Sequence, residues 1–139
     1  MKILVIDGQG GQLGVGLIKA IMEKYPVADI TAVGTNANAT AAMVKAGARK
    51  AATGENPVIV ASSRADVIIG PVGIVIADAM LGEITPAMAQ AIGKSAAVRI
   101  LIPMNKCDNL IAGVPNLNTG ALISDAVSKL RFISESGKI

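Results

Sequence analysis

At 139 residues the chain has the length of one ordinary domain and can bury a real core. It is 52% apolar but carries no Trp, one Tyr (Tyr25) and one Phe (Phe132), so that core must be aliphatic, as in helices packed on a parallel sheet rather than in a sandwich or small barrel. A net charge of +3 from scattered Lys and Arg, without aromatic platforms, argues against nucleic acid as a partner.

Five apolar runs alternate with helical patterns. The first strand is expected over Ile3 to Ile6, followed by a helix from about Gly11 to Lys24 that Pro26 ends. A second strand, Ile30 to Val33, precedes a helix from Asn38 to Ala46 closed by Gly47. The short third strand, Lys50 to Ala52, leads to Asn56-Pro57, a cap and first helical residue for a helix to Ser63. The fourth strand is Val67 to Ile69, with a helix around Ile74 to Leu81. A Thr85 cap with Pro86 behind it opens another helix to Ile92. The fifth strand, Arg99 to Ile102, stops at Pro103. Leu110 to Val114 reads as a sixth, edge strand, and Asn118 or Thr119 caps a last helix to about Ser134.

This alternation, with continuously apolar strands, indicates an α/β fold: a doubly wound, mostly parallel open sheet of five or six strands in a Rossmann-like three-layer sandwich. Right-handed crossovers favour the strand order 3-2-1-4-5. Residues 1–139 read as a single Rossmann-like nucleotide-binding domain.

In such a sheet ligands sit beyond the C-terminal strand ends, where the order reverses. The loop there reads Gly8-Gln9-Gly10-Gly11-Gln12-Leu13-Gly14. Its G-x-G-G-x-x-G spacing departs from the dinucleotide fingerprint, but the physical demands are met. Gly8 permits a sharp exit from the strand. Gly10 and Gly11 leave room for an anion beside bare N–H groups at a helix N-terminus, and Gly14 allows close packing on the sheet. A plain turn, or a site for another anion, is the competing reading. No Lys-Ser/Thr follows, so the loop is not of the Walker type.

Two details bear on NAD. The end of the second strand reads Gly34-Thr35-Asn36, where an Asp or Glu would grip a ribose. Thr35, Asn36 and Asn38 could hydrogen-bond a 2′-phosphate, but no Arg accompanies them, so NADP gains only slightly. Asp7, just before Gly8, would repel phosphate unless it accepts hydrogen bonds from loop N–H groups, which is the role expected of it. Gly54 and the Gly70-Pro71-Val72-Gly73 stretch fall at other strand ends and are expected to line the same crevice.

Other chemistry is sparse. There is no His, which excludes His-dependent triads and most zinc sites, and no metal is expected. Cys107, the only cysteine, permits no intrachain disulfide and suits a cytoplasmic location. Beside Lys106 it is a candidate nucleophile, although a small buried apolar role is commoner. Glu55, Asp78 and Glu83 are the acids nearest the strand ends, with surface or capping roles set against acid–base ones, and Asn56 and Asn105 are candidate ligand contacts. No signal peptide is expected. The most apolar run, Val67 to Ala77, is about half the roughly 20 residues of a membrane helix.

The segments "VIDGQGG", "GTNANATAAMVKAGA", "ATGENPVIV", "DVIIGPVGIVIADAMLGEITPAMAQAIG" and "LIPMNKC" together resemble the domain of unknown function 3842 family, short bacterial proteins. The resemblance covers nearly the whole chain and implies a Rossmann-like domain with no established activity. "GQLG", residues 11–14, also resembles the nucleotide loop of sugar-nucleotide reductases. Their Tyr-x-x-x-Lys pair is not matched, since Tyr25 is followed by Asp29.

The residues therefore point to a cytoplasmic protein binding a dinucleotide, NAD or NADP, or a related nucleotide. The expected contacts are Gly8, Gln9, Gly10, Gly11, Gln12, Leu13, Thr35, Asn36, Gly54, Gly70, Pro71 and Gly73. An enzyme of this kind would be an oxidoreductase completed by oligomerisation, and Ala, Gly and Ile on the helices suit a homodimer. The alternatives are a non-catalytic nucleotide-sensing module and a structural domain holding another anionic small molecule.

Overall fold

A computed structural model describes residues 1–104 and 109–137. The strands are β1 (Lys2–Asp7), β2 (Asp29–Gly34), β3 (Lys50–Thr53), β4 (Val67–Pro71) and β5 (Val98–Ile102). They form one parallel sheet in the order β3-β2-β1-β4-β5, the expected order. The register pairs Asp7 with Gly34 at the C-terminal ends of β1 and β2.

The alternation of β1 side chains divides the core in two. Ile3 and Val5 pack with Leu17, Ile18 and Ile21 of α1 (Gln12–Lys24), Met43 of α2 (Ala37–Lys45) and Leu130 of α5 (Thr119–Glu135). Leu4 and Ile6 pack on the other face with Val58 of α3 (Glu55–Ser62), and with Met88 and Ile92 of α4 (Pro86–Lys94). From Ile3 to Ile6 neither face of β1 meets water, which is why that run is continuously apolar.

Local chemistry explains most helix starts. Asn36 accepts from the Ala39 N–H at 2.9 Å, Thr85 from Met88 at 3.2 Å, and Asn118 from Ala121 at 2.8 Å. Each satisfies an amide that a first turn leaves orphaned. Helix α3 starts two residues before the expected Pro57, with Gly54 as its cap at φ +101. Pro57 fits there because a first-turn residue needs no N–H.

Two expected elements do not form. Instead of a helix over residues 74–81 there is a short 3-10 helix, Val72–Val75, after which Ile76 turns extended. Asp78, Met80 and Leu81 adopt left-handed φ values of 65, 57 and 56. The apolar side chains of Ile74, Ala79, Met80 and Ile84 reach the core from this irregular path instead. The segment 110–114 is not a strand; Leu110 there is 97% exposed, so pairing with β5 has no burial to drive it. No described helix is long and apolar enough to cross a membrane.

Candidate functional site

The glycine loop joins β1 to α1 at the centre of the sheet. Its foundation is Asp7, a buried carboxylate. Oδ1 accepts from the Gly8 N–H and Oδ2 from the Gly14 N–H, each at 2.8 Å. Asp7 thus serves α1 as the cap that Gly11 cannot supply, and the expected role is met. Burial pushes its carboxyl above the ordinary aspartate range, and the Glu83 charge pushes the same way. The Gly14, Gly8 and Leu13 amides act against them without winning.

The glycines have distinct reasons. Gly11 sits at φ +73, and a Cβ there would lie 2.9 Å from the Ala39 Cα. At Gly14 a Cβ would meet Met43 Sδ at 2.5 Å and Asp7 Cβ at 3.1 Å, so close packing between helix and sheet excludes one. Gly10 differs: a Cβ there would have nothing within 4 Å. Gly10 faces open space, so its backbone is uncovered.

A second carboxylate reaches the loop from outside. Glu83 Oε1 accepts from the Gln9 N–H at 3.0 Å, the Thr35 hydroxyl at 2.7 Å and the Asn36 side-chain amide at 2.6 Å. Burial raises the Glu83 pKa, but donors from Asn36, Gln9 and Thr35 outweigh it and leave the group below the ordinary glutamate range. Asn36 also donates to the Gln9 carbonyl at 2.9 Å, tying the end of β2 to the loop. Met80 comes with Glu83, its sulfur 2.9 Å from where a Gly8 Cβ would be. Glu83 therefore stands beside Thr35 and Asn36, where the sequence has no acid of its own. Its place near the strand ends is legible in the sequence, but its pairing with residues 47 and 48 positions away is not.

Of the loop amides, Gly8, Gln9, Gly11 and Gly14 are engaged. The Gly10 and Gln12 amides have no acceptor among the described residues. The remaining expected contacts are more dispersed. Gly70 lies within β4, where a Cβ would sit 2.4 Å from the Ile6 carbonyl oxygen; strand packing alone accounts for that glycine. Pro71 ends β4, and Gly73 is buried in the 3-10 helix. Gly54 follows β3, donating its N–H to the Gly34 carbonyl at 2.9 Å. Asn56 lines a separate groove of about 520 Å³ beneath α3 that includes no glycine-loop residue. Asn105, Lys106 and Cys107 lie outside the described residues. Among the described residues no three His, Cys, Asp or Glu side chains come together to hold a metal.

Fold and site together define an open, doubly wound parallel α/β protein with a glycine loop at the point where the strand order reverses. More particularly, the chain belongs to the family described as domain of unknown function (DUF3842), whose model matches residues 2–135. Comparison with curated proteins gives no match. Among solved structures, a dodecameric FMN-dependent UbiX-like decarboxylase from Escherichia coli O157:H7 is similar at 16% identity and a TM-score of 0.43, over 99% of this chain and 94% of that one.

Proposed function

We propose that residues 1–139 form a cytoplasmic nucleotide-binding domain that takes a dinucleotide, NAD or NADP, or a related nucleotide. The phosphates lie against Gly8 to Leu13, and the rest of the ligand extends along Thr35, Asn36 and Gly54 on the β2–β3 side and toward Pro71 and Gly73 at the end of β4 on the other. The observation that carries this reading is the pair of amides, Gly10 and Gln12, that have no acceptor among the described residues, beside a backbone position facing open space. They stand at the N-terminal end of α1, where aligned peptide dipoles favour an anion. Asp7 offsets part of that field from below, so affinity rests on directed amide bonds more than on net charge.

Thermal-shift measurements against NAD, NADH, NADP, NADPH, FMN, ATP and CoA test the proposal. A ligand at about 100 times its dissociation constant stabilises by roughly 2.7 kcal/mol. Gly10→Leu should abolish the shift while leaving the unliganded melting temperature close to wild type, because a side chain there meets nothing. A set of ligands none of which shifts the melting temperature would sink the nucleotide reading.

A non-catalytic nucleotide sensor is the second reading. It is favoured by the segment 78–82, in which Asp78, Met80, Leu81 and Gly82 hold positive φ and which leads to Glu83 on the loop. A homodimer is proposed through the exposed edge of β5, where Phe132 is 68% exposed beside a groove of about 350 Å³. Light scattering on wild type and Phe132→Ser tests it.

A further inference from the structure

We infer that Glu83 reads the ribose of the bound nucleotide and makes the site selective for an unmodified 2′-hydroxyl over a 2′-phosphate. This rests on the nucleotide reading above and adds a ligand class to it. Phosphates on the Gly10 and Gln12 amides stand at the end of β1. The neighbouring strand end, β2, is one strand spacing away, about 4.8 Å, and carries Thr35 and Asn36. A ribose joined to those phosphates falls beside that strand end. The carboxylate waiting there is Glu83.

Three features suit Glu83 to accept hydroxyl hydrogens. Its Oε1 is fixed by donors from the β1 loop and the end of β2, so the side chain is held before any ligand arrives. No described group donates to Oε2, which leaves acceptor capacity for a diol. The same donors keep the group ionised at neutral pH, and a charged acceptor makes the stronger hydrogen bond. A 2′-phosphate fares differently. It would bring about two negative charges against the carboxylate, and no described Lys or Arg is hydrogen-bonded to Glu83, Thr35 or Asn36 to offset them.

The path to Glu83 is itself unusual. Asp78, Met80 and Leu81 hold left-handed conformations that side chains rarely adopt. Leu81 is 99% exposed, so burial of its own side chain does not account for its conformation. The segment ends where Glu83 meets the three donors.

Calorimetric titration of the full chain with NAD, 2′-deoxyadenosine NAD and NADP tests the inference. Wild type should bind NAD roughly tenfold or more tightly than either analogue, the worth of one good hydrogen bond to a charged acceptor. Glu83→Gln should bring NAD and NADP close to parity, mainly by losing NAD, and Glu83→Asp should keep part of the preference. Equal wild-type affinities for NAD and its 2′-deoxy analogue would overturn the inference without any variant being needed. So would a Glu83→Gln protein that binds NAD and NADP both more tightly in an unchanged ratio, because Glu83 would then only obstruct the loop. In either case dinucleotide binding would stand. Absence of binding by wild type to all three would remove the nucleotide reading and this inference together.

Discussion

Two carboxylates bond the amides of the glycine loop, and they do so by different means. Asp7 is the last residue of β1, buried, and bonded to amides one and seven positions along the chain. Glu83 arrives across 74 residues from Gln9, on a connection with three left-handed non-glycine residues, and stays half in solvent. The first builds the loop and the second borders its open side. The contrast teaches that one glycine loop can be held together by a buried acid from its own strand and still bind a second acid from a distant segment. The Gly10 and Gln12 amides have no acceptor among the described residues and are the ones the proposed ligand would use.

The contrast can be broken most forcefully at Asp7. Asp7→Ala leaves the buried Gly8 and Gly14 amides without acceptors and should cost about 3 kcal/mol of unfolding free energy in denaturant titrations. Gly11→Ala should cost about 2 kcal/mol, because the new Cβ meets the α2 backbone in a conformation it disfavours. Glu83→Gln should cost only about 1 kcal/mol, since its donors are partly solvated and can turn to water. The smallest effect has the opposite sign. Leu81→Gly should stabilise by up to about 1 kcal/mol, because glycine adopts φ 56 freely and the leucine it replaces is exposed.

The same pair gives opposite pH dependences. Asp7 has a folded pKa above its unfolded value near 3.8, so its contribution is fully present below that pH and is lost as pH rises through the folded value. Glu83 has a folded pKa below its unfolded value near 4.5. Its contribution is present above that pH and is lost as pH falls through the folded value. Melting temperatures across acidic pH should therefore change slope in opposite directions in Asp7→Asn and Glu83→Gln. Parallel curves would contradict the assignment.

Much of the fold is legible along the chain because its signals are local. Aliphatic runs mark buried parallel strands, and Asn36, Thr85 and Asn118 cap helices within three residues of themselves. The role of Asp7 is legible for the same reason. The segment 72–84 is not. Its Ile-Val-Ile and Ala-Met-Leu groups carry a helical spacing of apolar residues, but tertiary burial of Ile74, Met80 and Ile84 imposes an irregular path. The partnership of Glu83 with Thr35 and Asn36 depends on that path, so no short-range pattern announces it. Gly70 shows the reverse error of emphasis. A glycine at a strand end reads as room for a cofactor, whereas the Ile6 backbone already requires it.

In the proposed function the Gly10 and Gln12 amides, which have no acceptor among the described residues, hold the phosphates of a nucleotide. Titrating isotopically labelled protein with NAD and following backbone amides by two-dimensional NMR tests it most directly. The account predicts saturable shifts that are largest at Gly10 and Gln12 and extend to Thr35 and Asn36. Saturable shifts confined to the groove beneath α3, or none at saturating nucleotide, would contradict it.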